Sequence, residues 1–453
     1  MREGVCPRRG PVHLFSRHEQ EGRNAMRKYL ALLVVAGLSL LPVVPAAAAT
    51  SHAQARSTIT PSASAAAAAW LAAQVKPDGF LALPATPTTA NLGLTAQGLL
   101  SLAAAGLAKP QVDAMETYLS AHVDDYVVSG GADQPGPLAY LILDALATGN
   151  DATNFGGADL VTRLEATQQP SGLFGSQDAT YDGAFRQGLS LLALHGVGVD
   201  NPSGATWLSD QQCADGGWTA FRADTSVPCP AADPVTFAGP DTNSSALAAE
   251  ALHAQGVTPA HDPVAWFTSV RSTGGGFAYL GDPTQAADAN STGLVTQALL
   301  ALNGSPDTAG IAALEAFQAG CTAAVADRGG LAFQPPSTGD LVPDEVATVQ
   351  GLWGLSGQVF PLIEPTIAAT TPAVCEATST STTTTTTTPV SAATSTTVAV
   401  VPVAEGSGPA AGTAGELPRT GASTEPLLVV GFLLTAAGSG LVIGARRRRS
   451  ARS

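Results

Sequence analysis

"WLSDQQCADGGW", Trp207 to Trp218, starts like the last turns of a helix and finishes on a glycine pair followed by an aromatic. Paired glycines permit φ > 0 directly after a helix, a backbone state that a Cβ resists. The aromatic beyond them can fold back as a plug. With Trp207, Gln212, Asp215, Gly216, Gly217 and Trp218 as its marked positions, the stretch reads as a helix-ending turn clasped by its own side chains.

The same theme recurs along the chain. Helix-like segments ending in glycine and an aromatic are "WLAAQVKPDGF" (Trp70–Phe80), "LEATQQPSGLF" (Leu164–Phe174), "WFTSVRSTGGGF" (Trp266–Phe277) and "LEAFQAG…RGGLAF" (Leu314–Phe333). After each, a second segment opens on a polar residue and runs apolar at helical spacing. These segments begin at Asn91, Asp182, Asn243, Asn290 and Asp344, each expected to be an N-cap. A divergent copy, "ETYLSAHVDDYVVSGG…PLAYLILDAL", fills the gap after the first. The closing leucines Leu102, Leu146, Leu194, Leu252, Leu302 and Leu355 lie 44 to 58 residues apart. About six helical hairpins follow, and a ring would bury the faces that no hairpin buries alone. The expected fold is all-α: an α/α toroid over residues 50–375.

The aromatic–Leu–Gln–Asp-Gly-Gly-Trp pattern resembles the QW motif of squalene and oxidosqualene cyclases. The repeat over roughly 60–360 resembles the α/α-toroid superfamily: prenyltransferase and squalene-cyclase repeats, and the cobalamin carriers of the intrinsic-factor group. Class II cyclases of this kind protonate an alkene with a DxDD acid, and this chain has no such motif. "HVDDYV", with Asp124 and Asp125, is the nearest text. Cyclase cavities also shelter carbocations with ring faces, and aromatics make up 5% of this chain. A prenyltransferase zinc site would need Asp, Cys and His together, and no CGEQ thioester sequence occurs. The resemblance thus implies a scaffold with no catalytic residues, no metal and no cofactor. A binding or interaction module is expected. An exported toroid enzyme acting on an isoprenoid or polysaccharide is the alternative. A cobalamin-type small-molecule carrier is another, although the second, ligand-covering domain of those carriers has no counterpart here.

One polar–small–Leu recurrence marks candidate cavity-lining residues: Gln97, Asp144, Gln187, Glu250, Gln297 and Gln350, each followed by Gly or Ala and then Leu. Either they point into a central funnel and hold a polar ligand, or they satisfy buried backbone groups or face solvent.

The ends carry an address. "MRKYLALLVVAGLSLLPVVPAAAAT" from Met26 has the basic, apolar and small-residue parts of a secretory signal, so residues 1–49 form a leader. Translation starts at Met1 or Met26. Residues 376–416 form a Thr/Ser/Pro/Ala-rich stalk that cannot bury a core and spans roughly 125 Å when extended at ~3.1 Å per residue. Residues 417–453 hold Leu417-Pro418-Arg419-Thr420-Gly421, an apolar run from Leu427 to Ala445, and Arg446–Arg449. The run is long enough for a membrane helix, and the arginines would stay cytoplasmic. Motif, span and basic tail resemble the LPxTG sorting signal of Gram-positive surface proteins. That resemblance implies cleavage by sortase between Thr420 and Gly421 and covalent transfer to peptidoglycan.

Between Thr50 and Thr420 nine Lys/Arg face thirty-two Asp/Glu, a balance that excludes nucleic acid as a partner. Cys213, Cys229, Cys321 and Cys375 remain in the exported part, enough for two disulfides. Three pairings are possible; Cys213–Cys229 with Cys321–Cys375 is preferred because each closes a loop on its own side of the ring. The expected partners are sortase, peptidoglycan and an unknown small molecule or surface ligand, with the protein in the cell wall.

Overall fold

Six helices of this chain bury nearly all of their circumference, polar residues included, and so must be enclosed by protein. A computed structural model describes residues 62–175, 183–336 and 339–375 of the 453. The leader, the threonine-rich stalk, the Leu417–Gly421 motif and the Leu427–Ala445 run lie outside the described residues. In chain order the elements are α1 (Ala63–Gln74), α2 (Leu92–Ala105), α3 (Lys109–Ala121), α4 (Val123–Val127), a two-residue ribbon β1 (Val128–Ser129) and β2 (Ala132–Asp133), then α5 (Pro135–Thr148), α6 (Leu160–Ala166) and α7 (Ala184–Gly196). The chain continues with α8 (Pro202–Asp210), α9 (Thr242–Ala254), α10 (Pro263–Val270), α11 (Ala289–Asn303), α12 (Thr308–Phe317) and α13 (Glu345–Ser356). The inner wall is α2, α5, α7, α9, α11 and α13, each packed on the next, and α13 returns to α2. The remaining main helices α1, α3, α6, α8, α10 and α12 lie outside, each packed on an inner helix. The architecture is an α/α toroid of six hairpins.

Caps set the inner helices. Asn91, Asp241, Asp288 and Asp344 each accept a hydrogen bond from the backbone N–H three residues on, at 2.7 to 2.9 Å. Two of these correct the sequence expectation: α9 and α11 are capped by Asp241 and Asp288, two residues before Asn243 and Asn290. The packed turn fixes the earlier residue, since Asp241 N donates to Trp218 O and Asp288 N to Phe277 O, both at 2.9 Å. Asp182 lies outside the described residues, and the residue at the N-cap of α7 is Gly183.

After five of the six outer helices, α3 excepted, the turn is pinned to the first turn of the following inner helix. The N–H groups of Leu81, Phe174, Trp218, Phe277 and Leu331 donate to side-chain oxygens of Thr95, Gln187, Ser245, Thr292 and Thr348 at 2.8 to 3.0 Å. The side chains of these five donors are fully or almost fully buried. In the first and last hairpins the plug is therefore a leucine. Phe80 instead packs on Tyr118 at 5.2 Å, and Phe333 is 41% exposed. In the quoted motif Trp218 also donates from Nε1 to Leu208 O at 2.8 Å, sealing the end of α8.

The ring closes through side chains of its first and last hairpins. Gln318 Nε2 donates to Ala63 O at 2.8 Å, Trp70 Nε1 to Ala326 O at 2.9 Å, and Ser101 Oγ to Val349 O at 2.9 Å. Beyond α13 the chain runs as a strap past the C-terminal halves of the inner helices. Phe360 N donates to Glu250 Oε1, Glu364 N to Leu146 O, and Ala368 N to Gly106 O. Disulfides join Cys213 to Cys229 and Cys321 to Cys375, with Cα separations of 5.7 and 5.4 Å. The second ties the end of the strap to the α12–α13 connection. Among the described residues, no helix is long and apolar enough to cross a membrane.

If Leu331 is the plug, Leu331→Ala should cost about 2–5 kcal/mol in denaturant unfolding. Phe333→Ala should stay within about 0.5 kcal/mol, as exposed positions do.

Candidate functional site

The connection between α8 and α9 is the place where the repeat is interrupted by a long loop. Two anchors shape it. Cys213–Cys229 closes its first half. Arg222 gathers the backbone around its guanidinium, with Nη1 donating to Gln212 O at 2.9 Å and Nη2 donating to Thr225 O and Val227 O at 2.7 Å each. Ala184 N, at the start of α7, donates to Ala220 O at 2.9 Å and docks the loop on the inner wall. Beneath it lies a cavity of about 480 Å³ at the N-terminal ends of α7 and α9. Phe221, Phe237, Val227 and Pro230 give it apolar walls, while Thr219, Arg222, Asp224, Asp241 and Tyr279 supply polar groups.

Two carboxyl groups in this lining differ in state. Asp241 Oδ1 accepts from Ser244 N at 2.7 Å, but Oδ2 is buried with no hydrogen-bond partner. Burial pushes this carboxyl up to about 7, against the pull of the Ser244 N–H. Asp224 is exposed and accepts from the Ser226 hydroxyl and N–H at 2.6 and 2.9 Å; these bonds, with a smaller contribution from the Arg222 charge, hold it below the usual carboxylate range. Burial and then the Asp241 charge raise the Tyr279 phenol, which stays protonated. The cavity lining thus combines Thr219 and Tyr279, the exposed Asp224 carboxylate and two ring walls. Among the described residues no group of three His, Cys, Asp or Glu could hold a metal ion.

The six polar residues marked in the sequence are all buried, none of them lines this cavity, and Gln97 and Gln350 meet each other. Counted from the helix caps, Gln97 and Gln350 lie six residues in, Glu250 and Gln297 nine, Gln187 four and Asp144 ten. With each residue turned about 100° from the last, the offsets six, nine and ten fall within one arc of about 100°, and Gln187 alone lies outside it. Gln350 Nε2 donates to Gln97 Oε1 at 2.9 Å across the ring seam. Gln187 reaches its own turn, with Nε2 donating to Gly172 O and Gly204 O at 3.0 Å. Glu250 and Gln297 hold the strap, Gln297 through Gln358 O at 3.4 Å. Asp144 has no hydrogen-bond partner on either oxygen, and burial raises it well above the ordinary range.

Sequence reading missed Thr95, Ser245, Thr292 and Thr348, although each sits four residues after a capping Asn or Asp. That spacing was a usable signal. Asp241, Tyr279, Phe221 and Arg222 had none, since the loop is aperiodic.

Burial also raises Glu250 to about 8 and Asp288 to about 6. An acid with a raised folded-state pKa binds more protons folded than unfolded between its two pKa values, so its share of stability is present at low pH and lost as pH rises. Thermal stability should therefore fall from about pH 4.5 towards pH 8, each group adding no more than about 1.4 kcal/mol per pH unit. Glu250→Gln should flatten the part of that decline above pH 7, read from melting temperatures across the range.

No protein-family model and no curated protein sequence matches this chain. Among solved structures, it is similar to a type II terpene cyclase from Scytonema bound to geranylgeranyl dihydroxybenzoate, with 16% identity, 65% of this chain and 95% of that one covered, and a TM-score of 0.43. It is also similar to an α-1,6-mannanase of Salegentibacter, with 13% identity, 65% and 98% covered, and a TM-score of 0.44. A glycosidase in complex with glucose gives 15% identity, 65% and 95% covered, and a TM-score of 0.41. At these identities the likeness concerns the fold alone.

Proposed function

We propose that the protein is exported, joined to peptidoglycan through Thr420, and displays its toroid on the threonine-rich stalk as a non-catalytic binding module. Export is supported by the signal-like stretch from Met26 and by two disulfides, which persist in oxidising surroundings. Anchoring is supported by the order of Leu417–Gly421, the apolar run and the arginines. Binding rests on one observation above the others: the 480 Å³ cavity has mixed ring and polar walls.

An exported toroid enzyme is the second reading. Asp224 and Asp241 line one cavity with pKa values pushed in opposite directions, the pattern that separates a base from an acid. Against it, Asp224 is already engaged by both donors of Ser226. A hydrolase would lose all turnover in either Asp→Asn variant.

Thr420→Ala should leave the protein extractable from membranes with detergent, whereas the native form should need muramidase for release. A variant that still required muramidase would overturn the anchoring. Native mass spectrometry of the exported protein should show a bound small molecule or its uptake.

A further inference from the structure

Tension carried by the stalk meets the toroid at Cys375, the residue just before the stretch 376–416. Residues 357–374 ahead of it form the strap, which few contacts hold. Gln358 O accepts from Gln297 Nε2, Phe360 N donates to Glu250 Oε1, and Glu364 N donates to Leu146 O. Ala368 N donates to Gly106 O, and Ala368 O accepts from Lys109 N. Phe360 and Leu362 are the strap's only buried side chains. From Ala369 to Val374 no hydrogen bond to a described residue holds the backbone. Pulled from its C-terminal end, such a segment loses its contacts in turn, Ala368 first, then Glu364, then Phe360, so each bears the whole load alone. A single hydrogen bond whose groups can turn to water instead resists little.

The disulfide from Cys375 to Cys321 offers a second path. Cys321 lies between α12 and α13, in the seam where the sixth hairpin meets the first. On one side of it, Gln318 Nε2 donates to Ala63 O and Gly329 O at 2.8 Å each; on the other, Ala326 O accepts from Trp70 Nε1 at 2.9 Å. Within the connection, Ala319 N donates to Gly330 O at 2.9 Å and Gly329 N to Ala319 O at 2.8 Å. Phe317 and Leu331, at its two ends, are buried in the core. We propose that Cys321–Cys375 is a load-transfer bond: it passes a pull from the stalk into this seam and leaves the strap slack. This rests on the anchored reading of the stalk. The bond closes a separation of 54 residues, so α13 and the strap, which lie inside it, are bypassed by the pull. The ring end under the strap therefore stays covered, with Phe360 on Glu250, while the stalk is loaded.

Optical-tweezer pulling tests this on the exported chain, with one handle beyond the stalk and the other at Ala265, exposed on α10. The disulfide-bonded protein should show no length step before the ring itself gives way. C321S/C375S should add an earlier, weaker step of at most roughly 60 Å, the reach of residues 358–374 at ~3.5 Å each. Its final extension should exceed that of the disulfide-bonded chain by roughly 190 Å, because the 54-residue separation is no longer closed. Phe360→Ala should leave the disulfide-bonded chain without an early step and lower the force of that step in C321S/C375S. If the double variant does not fold, the native chain reduced with a phosphine after folding takes its place. An early step in either disulfide-bonded chain, or none once the bond is gone, overturns the load transfer. Neither result bears on anchoring, which the extraction of Thr420→Ala decides separately.

Discussion

The toroid depends on a single polar contact made where one hairpin meets the next. Gln212 Nε2 donates to Gly216 O, within its own turn, and to His261 O, just ahead of α10, while Gln212 Oε1 accepts from His261 N. One side chain thereby fastens a turn to the start of the following outer helix. Gln168 does this through Asn201, and Gln318 through Ala63, which joins the sixth hairpin to the first. At the end of α10 an arginine takes the role: Arg271 donates to Gly275 O and pairs with Asp307 at 2.9 Å. An amide offers both a donor and an acceptor in a fixed plane, so it can match a peptide group as a strand neighbour would. Glycine completes the joint, because at Gly216, with φ of 107°, a Cβ would lie 3.0 Å from Asp262 O.

That joint explains how much of the architecture was legible. Glutamine, paired glycines and a buried residue recur at a fixed offset, and recurrence at about fifty residues is what a sequence shows most plainly. The α/α toroid followed from it. The direction of a polar residue on an inner helix did not, for a physical reason. Helices such as α11, with Ser291, Thr292, Gly293, Leu294, Val295, Thr296 and Gln297 all buried in succession, have no solvent face to fix their phase. Gln187 and Gln297 look alike in sequence, each followed by a small residue and Leu, but one serves its own turn and the other the strap. The caps were misread at α9 and α11 because Asn243 and Asn290 imitate the Asp residues two places before them. Only the packed turn decides which is used.

The two ends of the ring have different freedom. At the C-terminal halves of the inner helices the strap occupies the space, with Trp353 and Phe360 in edge contact at 5.2 Å and Leu362 buried beside them. Connections from inner to outer helices are short there, as between α2 and α3 or α11 and α12. The connections from outer to inner helices are longer and aperiodic, and the longest described excursion carries the cavity. A scaffold of this kind keeps its ring constant and varies one set of loops. The site consequently lies in the part of the chain where periodicity is silent.

A long loop can form a binding wall only if something other than the ligand orders it, since ordering on binding is subtracted from affinity. Here Cys213–Cys229 closes a 16-residue separation, worth roughly 3 kcal/mol on the chain-entropy argument. The four hydrogen bonds of Arg222 tie the same segment on both sides of it, at Gln211 and Gln212 and at Thr225 and Val227. Both devices act before any ligand arrives. The half of the loop beyond Cys229 has fewer restraints, chiefly the Asp233–Ala238 bridge and the Asp233 contact with Thr236, and it carries Val235 and Phe237 to the surface. The covalent half is therefore the more firmly restrained wall of the cavity, and the Phe237 half the less restrained one.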